Sequence, residues 1–139
     1  MSMFVGAIYS NKMYTFKKEE RLCNKSLVDQ LFHSGSSFLC YPFKVSWLNA
    51  DAAQPFPAQV LFSVSKKRFK RAVDRNLVKR ISREVYRLNK QAHLYDHLNN
   101  SGRKLIVALA YVGKELPEYH FVEKKMLKLF KQLCAEAGV

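Results

Sequence analysis

Arg75, Lys79, Arg83 and Arg87 recur at every fourth residue, with Arg80 among them. On a helix this spacing stacks the charged groups along one side. Like charges four residues apart repel and cost an isolated helix stability, so surface helices ordinarily mix signs at that spacing. The stripe therefore calls for an anionic partner. A cation that neutralises a phosphate releases condensed counterions, which makes such a surface bind nucleic acid tightly at low salt and weakly at high salt. Lys66, Lys67, Arg68, Lys70 and Arg71 lead into the stripe and Lys90 follows it. Against these eleven Lys and Arg stand only Asp74 and Glu84, so nine of the chain's thirteen net positive charges fall in one short stretch.

The same sequence is poor in catalytic groupings. A two-metal nuclease needs clustered carboxylates, and the four aspartates, Asp29, Asp51, Asp74 and Asp96, are scattered. His93 and His97 stand four apart, a spacing that suits zinc, but no third ligand accompanies them. No Ser-His-Asp, Walker or Gly-x-Gly-x-x-Gly pattern occurs. The expectation is a binding protein with no catalytic residue and no metal site of its own. Cys23, Cys40 and Cys134 form neither a disulfide framework nor a Cys-x-x-Cys pair. They read as small buried hydrophobes in a reduced, cytoplasmic protein.

Positioning the stripe requires a scaffold. Val28, Leu31 and Phe32 share one side of a short helix that Ser26 and Asp29 open and Gly35 closes. Ser36–Cys40 suits an edge strand. Phe43, Val45 and Trp47 alternate with Lys44, Ser46 and Leu48, and Val60, Phe62 and Val64 alternate with Leu61 and Ser63. These are two strands of period two, and the loop between them predicts an antiparallel hairpin. From Ala72 to about Asn89, Val73, Leu77, Val78, Ile81, Val85 and Leu88 fall within an arc of about 140°, opposite the cations. Asn99–Gly102 reads as a turn. Leu105–Val112 is apolar throughout and suits a strand buried on both faces. Beyond Pro117, Tyr119, Val122, Met126, Leu129, Phe130 and Leu133 form the stripe of a last helix.

The result is an α+β domain over residues 15–139, in the order α-β-β-β-α-β-α, preceded by a mobile extension over residues 1–14. With 139 residues, 48% of them apolar, the chain can bury a core. No apolar run approaches the ~20 residues that span a bilayer. A membrane surface would need large apolar groups exposed opposite the cations, where this helix has a sheet to cover. Nucleic acid is the better partner. Asn76 and Tyr86 lie near the cationic face, and Phe38, Tyr41, Phe43 and Trp47 lie on the sheet. Aromatic rings stack unpaired bases, which points to RNA with a single-stranded portion and not to DNA.

Ser63-Val64-Ser65-Lys66-Lys67, followed by Ala72-Val73-Asp74-Arg75-Asn76-Leu77-Val78-Lys79-Arg80-Ile81-Ser82-Arg83-Glu84, resembles the signature of the bacterial ribonuclease P protein subunit. Phe16–Leu22 and Phe32–Gly35 are similar to the family's opening. The family usually places Arg where this chain has Leu77. By the helical arithmetic Leu77 sits at the centre of the apolar arc and reads as added core. The linker Arg68–Arg71 is one residue longer and more basic than the family's.

The resemblance implies a small mixed four-stranded sheet with a left-handed crossover, as in a ribosomal protein domain, and helices on one face. It implies a partner, the ribonuclease P RNA, that carries the catalytic centre and holds Mg²⁺. It implies a second partner, the 5′ leader of precursor tRNA, which the holoenzyme removes. The protein is expected to be monomeric there. Carried over by position, Lys66, Lys67, Arg71, Arg75, Asn76, Lys79, Arg80 and Arg83 contact the RNA subunit. Arg21, Val28, Phe32 and Trp47 line the leader cleft. The competing expectation is a ribosomal or chaperone-type RNA-binding protein with no part in cleavage.

Overall fold

The computed structural model describes residues 15–139; the extension expected over residues 1–14 lies outside them. A 3-10 turn at Lys18–Glu20 precedes helix α1 (Lys25–Ser34). Strands β1 (Ser36–Cys40), β2 (Phe43–Asn49) and β3 (Ala58–Val64) follow. Helix α2 (Ala72–Lys90) continues through a π-helical turn (Gln91–Tyr95) into α3 (Asp96–Ser101). Strand β4 (Leu105–Tyr111) and helix α4 (Tyr119–Ala137) complete the chain. The α+β class and the mixed four-stranded sheet match expectation.

The strand order is β1-β2-β4-β3. Strands β1 and β2 form the hairpin, turning at Tyr41-Pro42, whose peptide bond is cis. The hairpin expected between β2 and β3 does not form. β4 lies between them, antiparallel to β2 and parallel to β3. The reason is in the side chains: β4 is apolar on both faces and belongs at the sheet's centre, whereas β2 and β3 each carry a polar face. The loop after Asn49 is long enough to cross β4, and it is fastened there. The Ala50 amide donates to the Lys104 carbonyl at 2.7 Å, and Gln54 Nε2 donates to Leu105 O at 3.1 Å. The parallel pairing of β3 with β4 needs a crossover, which α2 and α3 supply.

The main core lies on one face of the sheet. Val45, Val60, Phe62, Val107 and Leu109 meet Val78, Val85 and Tyr86 of α2 and Val122, Met126, Leu129 and Phe130 of α4. The other face is also covered in part, which corrects the expectation of helices on one face only. Leu31 of α1 and the preceding Leu22 pack on Ile106 and Ala108. Helix α1 is opened by Asn24, not by Ser26: Asn24 Oδ1 accepts from the Ser26 amide at 2.9 Å and the Leu27 amide at 3.3 Å. Gly35 closes it for want of space. A Cβ there would collide with the Leu31 carbonyl and lie 2.9 Å from that of Trp47. Asn99–Ser101 are helical, and the turn falls on Gly102, in the left-handed region at φ 69°. Cys40 and Cys134 are buried, and burial pushes both thiols up; Cys23 is exposed, contrary to expectation.

Helix α2 is turned relative to its apolar pattern. Its buried residues are Val78, Ser82, Val85, Tyr86 and Lys90. At 100° per residue that face centres about 145° from Leu77. Val73 is therefore 60% exposed and Leu77 only partly covered. The expectation that Leu77 is core, and that Tyr86 and Lys90 belong to the cationic face, is corrected. Ser82 and Lys90 join the buried face because each finds a partner there. Ser82 Oγ donates to the Val78 carbonyl at 2.8 Å. Lys90 Nζ bonds the Glu20 carboxylate and the Thr15 carbonyl. Glu20 also accepts from Tyr95 Oη at 2.7 Å. Burial pulls the Lys90 ammonium down from its usual range against the opposing pull of Glu20, and it pushes the Tyr95 phenol far up.

Candidate nucleic-acid interface

The cations after β3 sit on a stiffened connection. Ser65 Oγ accepts from the Lys67 amide at 3.0 Å, and the Ser65 carbonyl accepts from the Arg68 and Phe69 amides at 3.2 Å. Phe69 turns inward, its ring 6.0 Å from that of Tyr111. Arg75 Nη1 donates to the Phe69 carbonyl at 2.8 Å and the Lys70 carbonyl at 2.9 Å. With the apolar anchor and the guanidinium clasp in place, Lys66, Lys67, Arg68, Lys70 and Arg71 are held outward and exposed. Arg75 thus spends two of its donor contacts on positioning the loop.

Along α2, Asn76, Arg80 and Arg83 are exposed and Lys79 is half-exposed. Among the described residues, none of Lys66, Lys67, Arg71, Lys79, Arg80 and Arg83 forms a salt bridge. Arg87 does, with Glu84 one turn back. That pair holds the Glu84 carboxyl below its usual range and breaks the run of like charge at its C-terminal end. Six of the eight positions expected to contact RNA are therefore exposed and Lys79 is half-exposed, while Arg75 is half-buried and braces the loop.

The expected leader cleft is not brought together as a unit. Trp47 is in phase with Phe43 and Val45 and packs on the main core. The Arg21 guanidinium lies 5.8 Å from the ring centroid of Phe16, which meets Phe62 and Tyr86 of that same core edge-on. Val28 packs on the opposite face of the sheet, with Leu31. Phe32, next to it on α1, is 59% exposed. The four residues are thus split: Trp47 and Arg21 lie with the main core, and Val28 and Phe32 belong to the helix on the sheet's other face.

What α1 leaves open is a different floor. Helix α1 crosses the sheet over Leu48, Ile106, Ala108 and Leu61. Its Leu27–Gln30 flank looks onto the β2–β3 loop across a cavity of about 570 Å³. That places Val28 and Phe32 on the other flank. There the next row across the sheet is Leu39, Lys44, Ala110 and Ser63, aligned by the strand register. Ala110 and Ser63 are small, and the longer Lys44 and Leu39 are exposed beside them. Ser63 leads directly to Lys66 and the cationic loop. Sequence reasoning missed Leu39, Lys44, Ala110 and Ser63; the signal for them was the strand phase opposite the core. The stacking aromatics are also revised, since Phe43 and Tyr86 are buried while Tyr41 is 52% exposed.

A family model described as Ribonuclease P matches residues 16–134. The chain belongs to the ribonuclease P protein family. A relative named Ribonuclease P protein component from Porphyromonas gingivalis is 38% identical over 115 residues, 83% of each chain. Another from Chlorobium phaeobacteroides is 33% identical over 129 residues, 86% of this chain and 88% of the relative. The ribonuclease P protein of Thermotoga maritima has the same fold, with TM-score 0.65 and 23% identity over 81% of this chain and 96% of its own. The Staphylococcus aureus protein gives TM-score 0.62 at 20% identity, over 82% and 94%. For a member of the ribonuclease P protein family, the donor set is telling. Among the described residues, no three His, Cys, Asp or Glu side chains come together as a metal site. No described helix is long and apolar enough to cross a membrane.

Proposed function

We propose that this chain is the RNA-binding subunit of a tRNA-processing ribonucleoprotein. It docks on the ribonuclease P RNA through Lys66, Lys67, Arg71, Asn76, Lys79, Arg80 and Arg83, with Arg75 bracing the loop. It guides the 5′ leader of precursor tRNA along the open sheet face between α1 and the cationic loop. There Val28 and Phe32 form a wall against which bases rest, and Lys44 and Lys66 meet the backbone. Trp47 and Arg21 act behind this surface. The bond-breaking centre and its Mg²⁺ belong to the RNA subunit. The protein's contribution is to offset phosphate repulsion and to hold the leader in place. It works as a monomer in the cytoplasm.

The observation that carries this reading is the group of exposed cations without carboxylate partners on a braced loop and helix, beside an open sheet face. Neutralising about six phosphates gives a slope of log K against log salt of about −4 to −5. Titrating salt against a transcript of the ribonuclease P RNA tests it. A slope near zero would mean that these side chains do not meet phosphate. Equal affinity for precursor and mature tRNA, in the presence of that RNA, would remove the leader role and favour the ribosomal or chaperone reading.

A further inference from the structure

The cationic surface has an apolar centre. Val73 is 60% exposed and Leu77 is partly exposed. Together with Asp74, Asn76 and Arg80 they line a recess of about 390 Å³ on the outward side of α2. Leu77 is one turn from Val73, and Arg80 stands three residues beyond, so the apolar pair and the cation share one strip of the helix. A surface that only counted phosphates would gain nothing from leaving two branched apolar side chains in water. Burying them against a partner is favourable.

We infer that this recess receives one unpaired nucleobase of the RNA partner, with Leu77 and Val73 as its apolar bed. Arg80 neutralises the phosphate of the same nucleotide. Asn76 and Asp74 flank the bed on opposite sides and read the base edge. Asn76 offers both a donor and an acceptor, and the Asp74 carboxylate only accepts. An accepting carboxylate favours a base with donors on its edge and disfavours phosphate, so the base enters and the backbone stays on the Arg80 side. The inference rests on the RNA-binding reading above and adds a site that discriminates one nucleotide from its neighbours. A protein helix could also cover an apolar recess. The surrounding cations, Lys66 to Arg83, favour RNA.

The test uses the full chain and a transcript of the ribonuclease P RNA. Leu77→Ala is expected to weaken binding about tenfold while leaving the salt slope unchanged, because no ion is released at this contact. Leu77→Met keeps the volume and should restore most of the affinity. The melting temperature of each variant shows whether the fold is intact. A photoreactive p-benzoylphenylalanine at position 77 should crosslink to one unpaired nucleotide, located by primer extension. Wild-type affinity in Leu77→Ala, or crosslinks spread over paired regions, would overturn the inference. If wild-type protein itself fails to bind the transcript, the RNA-binding reading falls instead, and the two failures are distinct.

Discussion

Lys90 separates a structural cation from a functional one. In the sequence it closes the basic stripe; in the fold it is 2% exposed, bonded to Glu20 at the same low exposure. Replacing it with Met preserves the stem's volume and removes the charge. Glu20 is then left as a buried carboxylate whose remaining partners are the Tyr95 hydroxyl and the Lys17 amide, each donating at 2.7 Å. Removing one partner of a buried pair costs about 3–5 kcal/mol, which for a domain of this size lowers the melting temperature by about 10–20 °C. Replacing both partners, Lys90→Met with Glu20→Leu, leaves no stranded charge and should recover most of that loss. Below the melting point, Lys90→Met should bind RNA with the wild-type salt slope, since the ammonium never reached phosphate. Thermal unfolding by circular dichroism and a salt titration check both halves. A variant as stable as wild type, with a slope flattened by about one unit, would put Lys90 on the surface and refute the packing described for α2.

Four other outcomes are expected. Lys66→Ala and Arg80→Ala should each flatten the salt slope by about one unit with little change in stability. Arg75→Ala should weaken RNA binding by releasing the loop clasp, and hydrogen exchange should speed at the Lys67–Lys70 amides; unchanged exchange would mean that the clasp does not brace the loop. Asn24→Ala should cost about 0.5–2 kcal/mol by uncapping α1, and Ser26→Ala much less, read from denaturant midpoints. Gly35→Ala should destabilise by about 1–3 kcal/mol, because a methyl group there collides with the Leu31 carbonyl.

Much of the scaffold is legible in local pattern. The helix expected from Ala72 to Asn89 runs to Lys90, and the strand expected from Leu105 ends at Tyr111. The stripe from Val122 to Leu133 is the buried face of α4. The errors have two physical origins. A reading by side-chain type sends every polar residue outward, yet Ser82 and Lys90 find partners inside, so the buried face of α2 rotates away from Val73 and Leu77. Pairing between distant strands is not a local property either, and β4 therefore separates β2 from β3. The cationic surface was legible because charge repulsion along one helix leaves a trace in spacing alone. The leader cleft was less so: Val28 and Trp47 come from elements whose layers depend on how α1 crosses the sheet. Even there, Trp47 shared the phase of Phe43 and Val45, which already set it on the core side.

Cleavage reconstituted from separate components tests the central claim most directly. The purified chain, a transcript of bacterial ribonuclease P RNA and a 5′-labelled precursor tRNA are combined at a low Mg²⁺ concentration at which the RNA alone is slow. The chain is expected to accelerate release of the intact 5′ leader, to cut nothing without the RNA, and to lose its effect as salt rises. Cleavage by the protein alone, or an unaltered rate in its presence, would contradict the account.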